Sequence, residues 1–270
     1  MPRWTHALIS GGGSGLGLGI AERLLREGSA VSILDLALDD ARRATLDTAA
    51  RTGNGRWQFF PADVRDENAV RDAVAAAVQA HGAPTLALNS AGIIANETFA
   101  EMAPATFRRI IDVNLVGSCH FASAVLPQMQ RGSRLALIAS LAGLTSNYGY
   151  AAYGASKFGV VGLATTLRYE YASLGIAVSC ICPPEVKTPM VETEHRIGNP
   201  VSLELKKVAG SLDADVACDM IVAALARGEW MIIPGRRARL TAWAARMAPG
   251  LFHAISERLV ARALQRHATR

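Results

Sequence analysis

Residues 7–35 read ALISGGGSGLGLGIAERLLREGSAVSILD. The apolar residues at the start of this run predict a short buried strand, and a turn with five glycines follows it directly. Apolar residues then recur at the spacing of one helix face, at Ile20, Leu24 and Leu25. A second apolar run at 30–34 predicts another strand, which closes on Asp35. This order of strand, turn, helix and strand is typical of a doubly wound α/β sheet.

The glycine-rich turn also predicts a dinucleotide site. Glycines let the backbone approach a pyrophosphate, and the N-terminus of the following helix offers free N–H groups and the positive end of its dipole. An acid at the end of the second strand can accept hydrogen bonds from ribose hydroxyls. The alternative is a turn that merely connects strand to helix. The predicted contacts from the turn are Gly11, Gly13, Ser14, Gly15, Leu16 and Gly17.

Asp35 indicates which dinucleotide would bind. A carboxylate at this position would repel the 2′-phosphate of NADP. Residues 36–38 contain no Arg or Lys that could bind that phosphate, and the nearest basic residues, Arg42 and Arg43, belong to the next predicted helix. The sequence therefore predicts NAD as the cofactor.

Composition limits the class of protein. The chain has 270 residues, half of them apolar, which suits one α/β domain with a buried parallel sheet. Its four cysteines have no C-x-x-C or zinc spacing and its six histidines have no metal-ligand spacing, so reduced thiols and no metal are expected. No signal peptide and no uninterrupted apolar run of about 18 residues is visible. A cytoplasmic enzyme is the expectation.

The net positive charge of the chain comes from its C-terminal end. Residues 235–270 hold eight arginines and one acid, Glu257, while the whole chain carries a net charge of +5. The basicity therefore belongs to a tail and does not indicate a nucleic-acid enzyme. Within 251–267 an apolar stripe lies opposite the arginines, as in a basic amphipathic helix. Such a helix can dock on its own subunit or a neighbouring one, or it can make peripheral contact with an anionic membrane.

Strand and helix patterns alternate along the rest of the chain, which predicts one doubly wound, seven-stranded parallel sheet in a domain spanning 1–235. Helices are predicted at 39–52, 66–81, 104–129, 153–174 and 214–227, and strands at 57–62, 85–88, 135–139, 176–181 and 230–233. Residues 185–211 are predicted to be an irregular excursion that acts as a lid. The C-terminal helical extension 236–270, with helices at 236–247 and 251–267, is predicted to belong to the same unit.

Tyr153 and Lys157 carry the predicted chemistry. Residues four apart lie on the same face of a helix, and an ammonium beside a phenol should lower the phenol pKa from about 10. A tyrosine tuned in this way can exchange a proton with a carbonyl or alcohol oxygen. The alternative for this spacing alone is a solvated helix face. Ser140, at the end of a predicted strand thirteen residues upstream of Tyr153, favours the catalytic interpretation.

Several motifs together resemble those of the short-chain dehydrogenase/reductase family over about residues 5–235. The glycine spacing of the turn, the pair Asp63-Val64 and the run Asn89-Ser90-Ala91-Gly92 resemble its cofactor motifs. Its catalytic tetrad is matched by Asn114, Ser140, Tyr153 and Lys157. The resemblance implies a single-domain Rossmann fold, a homodimer or homotetramer, and hydride transfer between a nicotinamide cofactor and a secondary alcohol or ketone. The further cofactor contacts that it implies are Asp63, Val64, Asn89, Ala91, Gly92, Tyr153, Lys157, Val186 and Thr188.

The resemblance also implies roles for the tetrad. Tyr153 acts as general acid/base, Lys157 serves both the phenol and the nicotinamide ribose, and Ser140 donates a hydrogen bond to the substrate oxygen. Asn114 is expected to kink its helix and hold a water beside Lys157. Ser156 is expected to pack between helices rather than to act as a nucleophile.

One departure concerns the substrate. The family usually has Pro-Gly after its sixth strand, whereas this chain has Pro183-Pro184. That form is similar to 3-ketosphinganine reductases, which act on a long-chain lipid ketone but favour NADPH, against the prediction from Asp35. An apolar, lipid-like substrate is therefore expected. Its predicted contacts are Ser140, Ala142, Tyr148, Pro184 and Met190, with Leu144, Asn147 and Val191 nearby.

Two other functions remain open from the sequence. A nucleotide-sensing binding protein of the same fold that has lost its chemistry is the first, although a sensor need not keep an intact tetrad. A sugar-nucleotide epimerase or dehydratase is the second, although those enzymes usually carry a G-x-x-G-x-x-G turn and a longer substrate domain.

Overall fold

The computed structural model describes residues 3–206 and 210–268. The strands are β1 (His6–Ser10), β2 (Ala30–Asp35), β3 (Arg56–Pro61), β4 (Leu86–Asn89), β5 (Arg134–Ile138), β6 (Ala177–Ile181), β7 (Glu185–Lys187), β8 (Ser211–Asp213) and β9 (Met231–Ile232). The helices are α1 (Gly15–Arg26), α2 (Asp40–Gly53), α3 (Glu67–His81), α4 (Pro104–Ile111), α5 (Gly117–Val125), α6 (Ala142–Thr145), α7 (Ala151–Tyr171), α8 (Pro189–Ile197), α9 (Pro200–Lys206), α10 (Ala214–Arg227), α11 (Arg236–Met247) and α12 (Pro249–Ala268).

The predicted doubly wound sheet is confirmed. Seven parallel strands lie in the order β3-β2-β1-β4-β5-β6-β9. Helices α1, α2 and α10 pack on one face, where Ile20, Leu46 and Ile221 belong to one buried cluster. Helices α3, α5 and α7 pack on the other face, around Val74 and Phe121. The strand order reverses between β1 and β4, and a doubly wound sheet opens a crevice for ligands at such a point, outside the carboxyl ends of its strands.

The helical region predicted at 104–129 is divided in three. Helix α4 ends at Ile111, a π-helical turn covers Asp112–Val116, and α5 continues from Gly117. A 3-10 turn that contains Pro127 ends the region, as the proline predicts. Within the described residues, Pro104–Gln128 is the one helical stretch whose length and composition would allow it to cross a membrane, although no uninterrupted apolar run of that length was expected. Core helices of soluble proteins pass the same test.

The prediction of an irregular excursion at 185–211 is wrong. Strand β7 pairs in parallel with β8 as a separate two-stranded sheet, and α8 and α9 lie between them. Pro189 and Pro200 are each the first residue of a helix, where a missing N–H costs nothing. Residues 207–209 of this segment lie outside the described residues.

The tail forms the two predicted helices, α11 and α12, and α12 packs against α9. Ala263 is fully buried, and Arg266 forms an ion pair with Glu204. Ile255 of the apolar stripe is 47% exposed on the single chain. Residues 269 and 270 lie outside the described residues.

A buried histidine at the start of β1 makes stability depend on pH. His6 donates from Nδ1 to the Gly82 carbonyl, 2.7 Å away, and its Nε2 accepts from the Ser32 hydroxyl at 2.9 Å. Burial, more than any neighbouring charge, lowers the pKa of His6 from 6.5 to about 4. The neutral ring is therefore the form that the fold selects.

We expect the fold to lose stability as His6 is forced to protonate. Because the folded-state pKa lies below the unfolded value, this contribution is present above pH 6.5 and is lost as the pH falls through 4. The shift corresponds to roughly 3 kcal/mol. Urea unfolding across this window should show the gap between wild type and His6→Gln narrowing as the pH falls. A constant gap would show that His6 does not titrate with folding.

Candidate active site

One cavity of about 930 Å³ runs along the carboxyl edge of the sheet. The glycine turn, the end of β2 and the end of β4 line one part of it, and Ser140, Tyr153 and Lys157 line another. Residues from β7, α8, α11 and α12 complete its walls. The predicted nucleotide turn and the predicted catalytic residues therefore share one space.

The turn between β1 and α1 fits a dinucleotide. Gly11 has φ +65, and a Cβ there would lie 2.4 Å from the Ala91 backbone nitrogen. A Cβ at Gly17 would lie 2.1 Å from the Gly11 carbonyl oxygen. Helix α1 has no acidic residue in its first turn and no side-chain cap, so its first N–H groups remain available to an anion. The glycines thus allow a close-packed turn with a helix N-terminus at the cavity wall.

Asp35, the last residue of β2, lines the cavity beside the glycine turn. Its Oδ2 accepts from Gly13 N at 2.9 Å and its Oδ1 from Leu36 N at 2.8 Å, which fixes the carboxylate at the cavity wall. The two nearby arginines are engaged elsewhere. Arg42 pairs with Asp39 at 3.4 Å, and Arg43 donates to the Leu38 carbonyl and stacks over Phe59. A carboxylate is thus the charge presented at this wall.

Asp63 and Val64, which follow β3, also line the cavity. The Asp63 carboxylate is bound by Arg65, with 2.6 Å between Oδ2 and Nη2, and this hydrogen bond lowers the pKa of Asp63. Thr188 lies beside the glycine turn, since a Cβ at Gly15 would meet its Cγ2 at 3.6 Å. The predicted nicotinamide contact and the turn are therefore adjacent.

Ser140, Tyr153 and Lys157 lie together at the carboxyl end of β5 and the start of α7. The Ser140 hydroxyl lies close enough to the Tyr153 phenol to lower its pKa, and Ser140 Oγ accepts from Ala142 N at 3.1 Å. Lys157 lies one helical turn after Tyr153, with its Nζ 5.8 Å from the centre of the Tyr153 ring, and it donates to the Ile138 carbonyl at 3.0 Å. The serine hydroxyl, the phenol and the ammonium thus meet in one part of the cavity.

The expectation that Lys157 lowers the pKa of Tyr153 is wrong for the protein without a bound cofactor. Burial raises the pKa of Tyr153 to about 12, more than the Ser140 hydrogen bond lowers it. The same effect lowers the pKa of Lys157 to about 8, because burial disfavours its charged form. The phenol is therefore neutral and holds the proton that a carbonyl oxygen would receive.

Asn114 lies in the π-helical turn and is fully buried. Its amide accepts from Ile93 N at 2.8 Å and donates to Ile93 O at 2.9 Å and to Ser156 Oγ at 3.0 Å. A Cβ on Gly92 would lie 3.3 Å from Asn114 Oδ1 and 3.4 Å from Lys157 Nζ. Ser156 does more than pack, because its hydroxyl joins Asn114 to the carbonyl of Tyr153.

Most of the predicted site residues line the cavity. From the predicted cofactor set these are Gly11, Ser14, Gly15, Leu16, Asp35, Asp63, Val64, Ala91, Gly92, Tyr153, Lys157, Val186 and Thr188; from the substrate set they are Ser140, Ala142, Tyr148, Pro184 and Met190. Gly13, Gly17 and Asn89 support the walls from behind. Asn89, for example, is buried and donates to Ser118 Oγ at 2.6 Å.

A buried ionic cluster was missed by the sequence patterns. Glu194 on α8 is 3% exposed and accepts from Asn96 Nδ2 at 2.7 Å, from the Tyr150 hydroxyl and from Lys206 Nζ at 2.6 Å. Lys206 also pairs with Glu185 Oε2 at 2.7 Å. A lone Glu in an amphipathic helix predicts a solvated side chain, so its spacing gave no signal. The signal that the sequence did offer was Tyr150, which lies three residues before Tyr153.

This Glu194 cluster (Glu185, Glu194, Lys206 and Tyr150) ties α8 and α9 to the catalytic helix. The rings of Tyr150 and Tyr153 pack edge to face with 5.2 Å between centroids. Glu194, Glu185, Lys206 and Tyr150 all line the cavity. The cluster therefore supports the tyrosine at position 153 and closes one wall of the site.

Glu194→Ala should destabilise the fold by about 3 kcal/mol, because it leaves a buried phenol and a buried amide unpaired and removes one partner of a buried ammonium. For a chain of this size the melting temperature should fall by roughly 10 °C. Glu192→Ala, an exposed position on the same helix, is the matched control and should change little. Equal melting temperatures for the two variants would show that the cluster does not hold α8 and α9 in place.

The tail forms the remaining wall. Thr241 and Ala244 of α11 and Phe252, Leu259 and Val260 of α12 line the same cavity as Tyr153. These side chains, except Thr241, are apolar. The tail helices therefore make the site larger and more apolar than the sheet and its flanking helices would alone.

Comparison with known proteins agrees with this geometry. The short chain dehydrogenase family profile matches residues 5–196. A 3-dehydrosphinganine reductase of Arabidopsis thaliana is 33% identical over 235 residues, which cover 85% of this chain and 70% of that protein. A D-beta-hydroxybutyrate dehydrogenase of Rhizobium meliloti is 33% identical over 190 residues, or 70% of this chain and 74% of that one.

Solved structures show the same fold. A short-chain dehydrogenase/reductase from Burkholderia phymatum in complex with NAD superposes with a TM-score of 0.78 at 25% identity, over 92% of this chain and 94% of that one. Levodione reductase superposes with a TM-score of 0.76 at 27% identity, over 85% and 95% of the two chains. The family match, the fold and the arrangement of the site together show that the chain belongs to the short-chain dehydrogenase family of oxidoreductases that act on CH–OH groups.

Proposed function

We propose that this protein transfers a hydride between NAD(H) and a secondary alcohol or ketone that is apolar or lipid-like, with Tyr153 as general acid/base. The observation that carries this proposal is the cavity that holds the glycine turn, Asp35 and the Ser140–Tyr153–Lys157 group together. The NAD-bound relative of the same fold supports the choice of cofactor. A nicotinamide cofactor would supply the hydride donor or acceptor.

The residues of the chain handle the proton and the substrate oxygen. The neutral Tyr153 phenol donates its proton to a carbonyl oxygen, and Ser140 donates a hydrogen bond to the same oxygen as negative charge develops there. The Lys157 ammonium then lies close to the phenolate that remains and stabilises it. In the direction of alcohol oxidation each proton moves the opposite way. Asn114 holds the neighbouring backbone at Ile93 and, through Ser156, the first turns of α7.

The walls of the cavity support an apolar substrate. Beyond Tyr153 it is lined by Met190 and by side chains of the tail helices, among them Leu259 and Val260. A relative that is 33% identical to this chain over 235 aligned residues is named a 3-dehydrosphinganine reductase. Long-chain ketones are therefore the first substrates to test.

A panel of secondary alcohols and ketones, from short and polar to long-chain, tests the proposal with purified protein and each cofactor. The value of kcat/KM should rise with chain length, since each CH₂ group buried in an apolar wall contributes about 0.8 kcal/mol of binding energy. Tight NAD binding without turnover of any member would favour the nucleotide-sensing alternative. A preference for short polar substrates would reject the apolar site.

The cofactor preference depends on Asp35. NAD should bind at least about tenfold more tightly than NADP, because the carboxylate accepts from ribose hydroxyls and repels a phosphate. Fluorescence titration of both cofactors measures this ratio, and Asp35→Ala should narrow it. Asp40→Ala, which removes an exposed carboxylate from the first turn of α2, is the control. Equal affinities in the wild type would contradict the assignment.

A homodimer or homotetramer is part of the proposal. Helix α7 leaves Phe158 and Tyr169 exposed on the surface of the single chain, at 47% and 71%. Apolar side chains of this size on a core helix are available to a second copy. Light scattering of the purified protein measures the number of subunits, and a monomer would reject this part of the proposal.

A further inference from the structure

Helix α11 presents its large apolar side chains to solvent. Leu240, Trp243 and Met247 recur at helical spacing and are each between 61% and 64% exposed. The side that packs on the protein is built from small residues, with Ala238 at 1% exposure. An amphipathic helix that docks only on its own protein would turn its large apolar side chains inward. The face formed by Leu240, Trp243 and Met247, here the α11 face, is thus built for an external contact.

Charge identifies the kind of contact. Arg236, Arg237 and Arg246 are exposed on the same helix, and no acidic residue occurs between Glu229 and Glu257. A second copy of the chain docked on this face would bring two cationic surfaces together without a carboxylate from either segment, which is unfavourable. An anionic lipid surface offers the opposite charge over a wide area.

The residue types also match a bilayer interface. Tryptophan, with an apolar ring and one N–H donor, accumulates at the level of the lipid headgroups, and arginines beside it can reach the phosphates. The surface continues into α12, where Leu251 and Ile255 are 65% and 47% exposed and also line the cavity that contains Tyr153. The α11 face therefore lies next to an entrance of the site.

We propose that the α11 face docks the protein peripherally on an anionic membrane, with Trp243 and Leu240 inserted at the level of the headgroups and the arginines on lipid phosphates. Docked in this way, the cavity entrance at Leu251 and Ile255 faces the bilayer. The membrane contact does not depend on which reaction the site performs. The delivery of an apolar substrate from the bilayer rests on the proposed function.

Flotation with vesicles of phosphatidylcholine, with and without phosphatidylglycerol, tests the contact on the full chain. The protein should float with the anionic vesicles and stay in solution with the neutral ones, and added salt should release it. Replacing Arg236, Arg237 and Arg246 together with Gln should weaken binding by about fivefold per arginine, or roughly a hundredfold. Trp243→Ser should also abolish flotation, whereas Phe99→Ser, at an exposed aromatic position outside the tail, should float like the wild type.

A second measurement places Trp243 in the bilayer. Lipids with brominated acyl chains should quench the fluorescence of the wild type, and Trp243→Phe should float normally but lose that quenching. If Trp243→Ser floated like the wild type, or if the wild type did not float with anionic vesicles, the proposal would be wrong. A change in subunit number for Trp243→Ser in light scattering, without vesicle binding by the wild type, would assign the α11 face to a second copy of the chain instead.

Discussion

Tyr153→Phe should lower turnover by a factor of about 10² to 10⁴, because it removes the hydroxyl that exchanges a proton with the substrate oxygen. The ring remains, so its edge-to-face contact with Tyr150 and the shape of the cavity should be kept. NAD binding, measured by fluorescence titration, should change little. The turnover rates of the wild type and the variant are compared on the best substrate from the alcohol and ketone panel.

Two companion variants make the result specific. Tyr169→Phe removes a hydroxyl from the same helix at a position 71% exposed, and it should retain full activity. Lys157→Ala should reduce both turnover and NAD affinity, because its ammonium lies beside the phenol and is expected to bind the ribose. If Tyr153→Phe kept more than about a tenth of the wild-type rate, general acid/base catalysis by Tyr153 would be the wrong assignment.

Gly11→Ala should remove cofactor binding and destabilise the fold. The added Cβ would lie 2.4 Å from the Ala91 nitrogen and 2.7 Å from the Ser90 carbonyl carbon, both backbone atoms that cannot move without shifting the end of β4. The positive φ of +65 adds strain for any residue other than glycine. We expect a loss of about 3 kcal/mol or more in unfolding free energy, together with loss of detectable NAD binding.

Gly132→Ala separates the two causes of that loss. Gly132 has φ +90, and nothing lies within 4 Å of the Cβ it would gain, so this variant tests backbone strain alone. It should cost about 1 kcal/mol and leave NAD binding intact. Similar losses for both variants in urea unfolding, or normal NAD binding by Gly11→Ala, would show that the close approach at Gly11 is unimportant.

The elements of the sheet could be predicted because each depends on a local pattern. A period of two or a short apolar run predicts a strand, a period of 3.6 predicts a helix, and glycines and prolines mark the ends. Helix α10 was predicted at its observed bounds, 214–227. The segment 185–211 was not, because its strands are three residues long and are defined by pairing with each other across the intervening helices.

The spacing of Tyr153, Lys157 and Ser140 predicted that these residues would come together, since a helical turn and a strand end fix their positions. Spacing cannot give their pKa values. The pKa of Tyr153 is raised to about 12 because burial outweighs the effect of the Ser140 hydroxyl, and burial depends on the elements that surround the start of α7. Helix α8, in the segment predicted to be an irregular excursion, lines the same cavity.

The sequence was sufficient for the strands and helices of the main sheet, the glycine turn, the carboxylate at Asp35 and the catalytic spacing, because neighbouring residues in one or two elements create each of them. The tertiary structure alone placed Glu194 in a buried ionic cluster and brought Leu259 of the tail to the wall of the site. It also turned Trp243 outward and Ala238 inward, against the usual arrangement of an amphipathic helix. These features depend on contacts between segments far apart in the chain, and a local pattern of polarity is the same whichever surface the chain later brings against it.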